Sequence, residues 1–159
     1  MSTTTQIRPL KDILSTMPSK DPADVALVTK AYAFAQEAHK DQKRYSGDLY
    51  FSHPAEVGFM LAQINMDAPT IAAGILHDVV EDAGIPAQKM QDEFGSDVLH
   101  LVQGVTKLGK VRYHGLERHV ESLRKLFAAT AKDIRVVIIK LMEDRKSTRL
   151  NSSHEWISR

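Results

Sequence analysis

Apolar residues recur at helical spacing along most of the chain. In the segment 21–39 they stand three or four residues apart, at Val25, Val28, Tyr32 and Ala35. Residues at this spacing share one face of a helix, so the segment is predicted to be an amphipathic helix. Asp21 and Pro22 suit its start, because Asp is a good N-cap and Pro fits the first helical position.

The same apolar spacing, interrupted by turn residues, predicts four further helices in the next part of the chain. Pro54 is predicted to begin one helix, and Asp67 a longer one that ends at Gly84. Short helices are predicted over residues 87–94 and 98–102, on either side of a glycine break.

The remaining segments add two loops and two helices. Residues 41–52 are polar, and residues 107–115 are basic and marked by glycine, so both are predicted to be loops, the second one mobile. Residues 116–131 form an amphipathic pattern. The apolar run 136–141 after Asp133 fits a buried strand or a buried helix, and a helix is favoured because no second convincing strand could pair with it. The chain is therefore predicted to be all-α.

Composition narrows the class of protein. The chain has 159 residues, 43% of them hydrophobic, which predicts one domain with its own core. The net charge of +1 argues against a protein held by nucleic acid or by a membrane surface. No apolar run reaches the length of a membrane span, and Met1 to Lys11 lacks a signal-peptide core, so a cytoplasmic protein is predicted. Without cysteine, any metal must bind to His, Asp or Glu.

The apolar pattern stops near the C-terminus. Residues 144–154 look like the in-frame translation of a sequencing adapter, which leads to the hypothesis that residues 144–159 are a non-native tail. The alternative is an ordinary polar tail of the kind common at chain ends. The predicted organisation is an N-terminal segment 1–20, a C-terminally truncated domain 21–143, and this tail. Resequencing the gene across codon 143 tests the hypothesis.

A cluster of acids and histidine lies at the end of the helix predicted to begin at Asp67. His77 and Glu81 are four residues apart, as are Asp78 and Asp82, so these side chains lie toward one face of a helix. Carboxylates near a helix C-terminus are unfavourable by up to ~1 kcal/mol, and a divalent cation would offset that cost. A single His-Asp doublet is more often a surface or core pair, so the cluster indicates a metal site only together with further candidate ligands.

His53, a second histidine upstream in the sequence, is a further candidate ligand beside His77 and Asp78. Imidazole and carboxylate ligands suit a hydrolytic metal such as Mn or Zn, which activates water at neutral pH. Glu81 or Asp82 would then orient this water or carry its proton. Lys43 and Arg44 in the polar loop suit a phosphate group, although a solvated charged loop is the simpler interpretation of these two residues.

Several ordered motifs together resemble the HD hydrolase domain of RelA/SpoT-type alarmone enzymes. The motifs that carry the resemblance are residues 44–54, 76–82, 94–95, 104–108 and 132–137. The resemblance implies an all-α HD-domain helical bundle. It also implies Mn²⁺-dependent hydrolysis of the 3′-pyrophosphate of (p)ppGpp, the guanosine tetra- or pentaphosphate of the stringent response.

Carried over motif by motif, the resemblance also implies roles for individual residues. These are metal ligands His53, His77 and Asp78, water-activating residues Glu81 and Asp82, and nucleotide contacts Arg44 and Ser46. The family has an Asp ligand where this chain has Glu143, and Asp144 comes one residue late. Such a slip rotates a helical side chain by about 100°. Glu143 is therefore the candidate fourth metal ligand, and the Asn-bearing end of the family motif is missing.

Two alternatives stay open from the sequence. The domain could be an HD phosphohydrolase that acts on another nucleotide, or an inactive nucleotide-binding regulatory module of a bifunctional ppGpp synthetase/hydrolase. The intact set of histidines and acids favours catalysis in the native parent. No nucleic-acid or membrane partner is predicted, and the sequence gives no oligomeric state.

Overall fold

The structure is a computed structural model that describes residues 7–40, 51–109 and 133–143. Within those residues it contains seven helices and no strand. Six are α1 (Leu10–Thr16), α2 (Pro22–His39), α3 (Ser52–Gln63), α4 (Ala68–Asp82), α5 (Ala87–Phe94) and α6 (Ser96–Gly109). The seventh covers residues 134–143 and is here named the C-terminal helix. The prediction of an all-α fold is confirmed.

Helix α4 lies at the centre of the bundle. It contacts α2, α3 and α6, and residues 70–79 are buried without interruption. A helix enclosed on all sides must be apolar all round, and α4 is apolar except for a few residues. Three of its buried residues are polar: Thr70, His77 and Asp78. Although α4 is strongly apolar, none of the described helices has the length and hydropathy needed to cross a membrane.

Side-chain caps fix the starts of α2 and α4 where the sequence predicts them. The Asp21 carboxylate accepts a hydrogen bond from the Ala23 amide at 3.1 Å, and Asp67 accepts one from the Thr70 amide at 3.1 Å. Each cap satisfies an amide that lacks a partner inside the helix. Gly84 follows the end of α4 with a φ of 66°, a conformation that favours glycine.

Two boundaries differ from the prediction. Helix α3 begins at Ser52, two residues before Pro54. The first turn tolerates this proline because the amide that it lacks would have no partner inside the helix. Helix α6 continues to Gly109 and so includes residues 107–109 of the predicted loop. Val105 is 2% exposed and extends the buried face of α6 beyond the predicted end. The predicted helix 116–131 lies outside the described residues. So do the two predicted loops, except for residues 51–52 of the first and 107–109 of the second.

The sequence pattern missed α1, which lies in the predicted N-terminal segment. A seven-residue helix shows too few turns for a clear apolar period. Ile13 and Met17 are nevertheless 0% and 1% exposed within the main core. The Lys20 ammonium donates to the carbonyls of Leu14, Ser15 and Met17 at 2.6, 2.9 and 2.9 Å. The end of α1 is therefore stabilised by a cation where its carbonyls lack amide partners.

The C-terminal helix packs closely against α6. A Cβ atom built on Gly104 would lie 2.7 Å from Cγ2 of Val136, closer than real side chains approach. Val136 and Ile139 are buried in the core, and Asp133 accepts a hydrogen bond from the Arg135 amide at the start of the helix. The prediction of a buried helix after Asp133 is confirmed, and Gly104 permits its close approach.

We expect Gly104→Ala to destabilise the protein by about 1–3 kcal/mol, the usual cost of overpacking a core. Val136 cannot easily move away because its side chain is branched at Cβ and stiff. Urea unfolding of both proteins measures the difference. The matched control is Gln103→Ala, an exposed change to alanine one residue earlier. Equal unfolding free energies for the two variants would contradict the packing argument.

Candidate metal centre

Three helices bring potential metal ligands together at one point. His53 is the second residue of α3, His77 lies near the end of α4, and Glu143 is the last described residue of the C-terminal helix. One ligand atom from each residue lies within 4.8 Å of the others. The two imidazole rings are 6.2 Å apart between centroids. The three side chains therefore have the number and spacing that a shared metal ion requires.

The imidazole of His77 is oriented by the backbone of its own helix. Its Nδ1 lies 2.6 Å from the carbonyl oxygen of Gly74. A carbonyl only accepts hydrogen bonds, so Nδ1 carries the proton and donates it to Gly74. This arrangement directs Nε2 away from the helix and toward the cluster. A metal-binding histidine commonly has its other ring nitrogen fixed in this way.

Two carboxylates approach the free end of this ring. Asp78 Oδ1 lies 3.1 Å from Nε2 of His77, and Glu143 Oε1 lies 3.3 Å from it. These are ion-pair distances, but neither oxygen has the angle of a hydrogen bond to Nε2. A buried ring nitrogen that faces two carboxylates without well-formed hydrogen bonds fits a site for a cation between them.

Charge and burial shift the pKa values of this group in opposite directions. Burial alone would lower the pKa of His77, but Asp78 and Glu143 outweigh burial and raise it to about 10. Burial alone would raise the pKa of Asp78 and of Glu143, but the His77 imidazole outweighs burial and lowers both. Without a metal the His77 imidazole is therefore protonated and the two carboxylates are ionised, so a cation that binds to Nε2 takes the place of the proton on this nitrogen.

The donor set itself indicates the class of metal. The converging group of His53, His77 and Glu143, with Asp78 beside His77, offers nitrogen and oxygen atoms, and the sequence contains no cysteine. Such mixed sets suit borderline divalent ions such as Mn²⁺, Fe²⁺ and Zn²⁺. The side chains that face one another at this point therefore fit a divalent cation.

The other residues predicted for the site are placed as follows. Asp82 is the last residue of α4 and is exposed. Glu81 belongs to the same helical turn, but its side chain lies outside the described part of the protein, as do Arg44 and Ser46. Asp144 lies outside it as well. Glu143, the candidate fourth ligand, is the carboxylate that the fold brings to His77 from a distant part of the chain.

His39 is a neighbouring residue that the sequence reasoning missed. It is the last residue of α2 and is fully buried. Burial and His77 dominate the pKa of Asp78, and the charges of His53 and His39 add to the lowering. One signal was present in the sequence: His39 continues the apolar spacing of α2, four residues after Ala35. A histidine in such a stripe is buried and therefore needs polar neighbours.

Comparison with known proteins places this fold and site in a family. A family model described as HD domain matches residues 31–154, which is well over half of the chain. The chain belongs to the HD domain family. The match also crosses residues 144–154, whose origin stays a prediction.

Three similar proteins have names that indicate related activities. The guanosine-3′,5′-bis(diphosphate) 3′-pyrophosphohydrolase of Aquifex aeolicus is 40% identical over 134 residues, covering 84% of this chain and 19% of the relative. The GTP pyrophosphokinase rsh of Brucella melitensis is 42% identical over 125 residues, covering 78% and 17%. A probable guanosine-3′,5′-bis(diphosphate) 3′-pyrophosphohydrolase of Synechocystis is 42% identical over 118 residues, covering 74% and 16%. The chain therefore spans less than a fifth of the length of these relatives.

We expect His77→Ala to remove most divalent-cation binding by this HD domain. His77 lies between two carboxylates, so its loss takes away a ligand and leaves the acids without the group that orients them. Equilibrium dialysis with Mn²⁺ as the probe ion, followed by elemental analysis, measures the bound metal. His100→Ala is the control, since His100 has a side chain that is 53% exposed and faces Asp133 instead. Equal metal content in His77→Ala and in the unsubstituted chain, called the parent in all comparisons with variants, would exclude His77 as a ligand.

The raised pKa of His77 predicts how stability depends on pH when a chelator is present. The stabilising charge on His77 is fully present below its ordinary pKa of 6.5 and is lost as the pH rises through about 10. We therefore expect the Tm advantage of the parent over His77→Gln to shrink between those two pH values. Thermal unfolding of both proteins in parallel cancels the titration of other groups. A constant difference would show that His77 is not charged in the folded protein.

Proposed function

We propose that this HD domain, in its native parent, hydrolyses the 3′-pyrophosphate of (p)ppGpp in stringent-response signalling in the cytoplasm. The products are GDP or GTP and pyrophosphate. The observation that carries the proposal is the convergence of His53, His77 and Glu143 beside Asp78, in a domain whose relatives include named 3′-pyrophosphohydrolases. A hydrolytic site needs such a group, because phosphate esters react slowly without charge neutralisation.

The proposed ligands are His53, His77, Asp78 and Glu143, and the proposed ion is Mn²⁺. When bound, such an ion lowers the pKa of a coordinated water and neutralises charge on a phosphate oxygen. The protein's own part is to hold the ligands ionised and oriented. Gly74 fixes the ring of His77, and before an ion binds the charged imidazolium of His77 keeps the pKa values of Asp78 and Glu143 low.

The remaining residues act on the water and on the nucleotide. We assign Glu81 and Asp82 to proton transfer, because they follow the ligands by one helical turn. They would take the proton of the attacking water, whose oxygen forms a bond to the phosphorus on the 3′-oxygen. The bond from this phosphorus to the ribose breaks, and the 3′-oxygen gains a proton. Arg44 and Ser46 are assigned to the nucleotide, since guanidinium and hydroxyl groups donate to phosphate oxygens.

Two other functions make different predictions for the same protein. An HD phosphohydrolase for another nucleotide would release phosphate or pyrophosphate from that substrate and leave ppGpp intact. An inactive regulatory module would bind nucleotide without turnover. This alternative is considered because one relative is named a GTP pyrophosphokinase. Chromatography of GTP, dGTP and ppGpp after incubation with protein and Mn²⁺, together with equilibrium binding of each nucleotide, separates these three outcomes.

We expect the 159-residue chain to fold but to be nearly inactive in the hydrolysis of ppGpp. Glu143 has one methylene more than the family's Asp, and the Asn-bearing end of the last motif is missing. Replacing residues 143–159 by an Asp-Arg-Leu-His-Asn-type continuation should restore turnover, measured as pyrophosphate released. Full activity in the 159-residue chain would show that residues 144–159 support the reaction.

In the chain with the replaced C-terminus, we expect Glu81→Gln to retain metal but to lose hydrolysis by roughly 10²-fold or more, the usual scale of acid-base groups. Glutamine keeps the size of the side chain and removes its ability to accept a proton. Glu37→Gln, an exposed change on α2, is the matched control. Parental turnover in Glu81→Gln would refute the assignment of proton transfer to Glu81.

A further inference from the structure

One guanidinium connects three carboxylates near the start of the C-terminal helix. Glu143 lies at the other end of the described part of this helix. Arg135 lies 2.7 Å from Asp133, 3.0 Å from Asp97 and 3.3 Å from Asp67, each measured from a guanidinium nitrogen to a carboxylate oxygen. Both terminal nitrogens of Arg135 donate hydrogen bonds to the Asp97 carboxylate, at 3.0 and 3.1 Å. We name this group of four residues the Arg135 clip.

Each carboxylate of the clip lies at the start of a different helix. Asp67 is the N-cap of α4, Asp97 lies in the first turn of α6, and Asp133 directly precedes the C-terminal helix. Acids are common at these positions because they complement helix amides. Three of them at one junction would repel one another without a cation. Arg135 supplies that cation and joins the three helices.

Arginine is suited to this junction in a way that lysine is not. Its planar guanidinium has five N–H donors in a fixed fork, so it can satisfy several carboxylates at once. The Arg135 side chain is only 25% exposed, while Asp67 and Asp97 are 52% and 51% exposed. An isolated exposed ion pair contributes little, but a bidentate network with a half-buried centre fixes geometry.

The helix that starts at the clip reaches the candidate metal centre at Glu143. Glu143 follows Arg135 by eight residues, which is about 12 Å along a helix. Between the two, Val136 packs against Gly104 and Ile139 is fully buried. The position of Glu143 beside His77 therefore depends on how the start of this helix is held.

We propose that Arg135 is a positioning residue for the metal centre, which acts by holding the C-terminal helix so that Glu143 reaches His77. The inference rests on the proposed metal site. In this role Arg135 touches neither metal nor substrate. Its effect on metal affinity passes entirely through Glu143.

A double-mutant cycle measures that dependence. The Mn²⁺ dissociation constant is determined by calorimetry for the parent, Arg135→Gln, Glu143→Gln and the double variant. We expect Arg135→Gln to weaken Mn²⁺ binding roughly 10-fold, in the range for residues that orient ligands. The double variant should bind as Glu143→Gln does, because a ligand that is already lost cannot be misplaced. Arg135→Lys should recover part of the affinity.

Lys30→Gln is the matched control for charge. It also removes one positive charge from an exposed ion pair, formed with Glu93 between α2 and α5. We expect it to leave Mn²⁺ affinity within about twofold of the parent, since exposed pairs of this kind are weak and screened. If Arg135→Gln does not fold, as judged by circular dichroism, the cycle is made with Asp97→Asn, which opens the clip at its exposed side.

The outcomes separate the inference from the proposed function. If the parent and all variants fail to bind Mn²⁺, the proposed metal site is wrong. If the parent binds and Glu143→Gln weakens binding, the metal site stands. In that case, either of two results would overturn the positioning role. One is an Arg135→Gln variant that binds Mn²⁺ as tightly as the parent. The other is a double variant whose loss of Mn²⁺ affinity equals the product of the losses in the two single variants.

Discussion

The bundle is organised around the burial of a charged pair in its central helix. His77 and Asp78 are 3% and 8% exposed in α4, which packs against α2, α3 and α6. Such groups are costly to bury unless opposite charges and hydrogen bonds accompany them. Gly74 supplies the hydrogen bond from within α4, and Glu143 supplies a second carboxylate from the C-terminal helix. The polar site and the apolar core are therefore parts of the same packing arrangement.

Small residues let the helices come close enough for this to happen. A Cβ atom on Gly74 would lie 2.4 Å from Leu61, and one on Gly58 would lie 2.6 Å from Ile75. Helices α3 and α4 thus approach at two glycines, which brings His53 at the start of α3 toward His77. Gly104 has the same effect for the C-terminal helix. The candidate ligands come from three helices. They can meet because a glycine at each crossing leaves room for the side chains of the neighbouring helix.

The sequence by itself determined the local features. Asp21 and Asp67 cap helices where predicted, because an Asx side chain acts on amides two or three residues away. The fold class and the family also followed from residues close together in ordered motifs. Short-range patterns were less informative at α1, whose seven residues show little periodicity, and at the end of α6, where Val105 is buried by neighbours distant in sequence.

Tertiary structure decided how the candidate site is assembled. The sequence placed His77 beside Asp78, but it could not show that Glu143 lies 3.3 Å from His77, since the two are far apart along the chain. It gave no role to His39, because only packing places a fully buried imidazole near Asp78. Arg135 likewise gained its three partners from the meeting of helix starts. Helices form through interactions within a few residues, whereas ligand sets and charge networks depend on which faces those helices bury against one another.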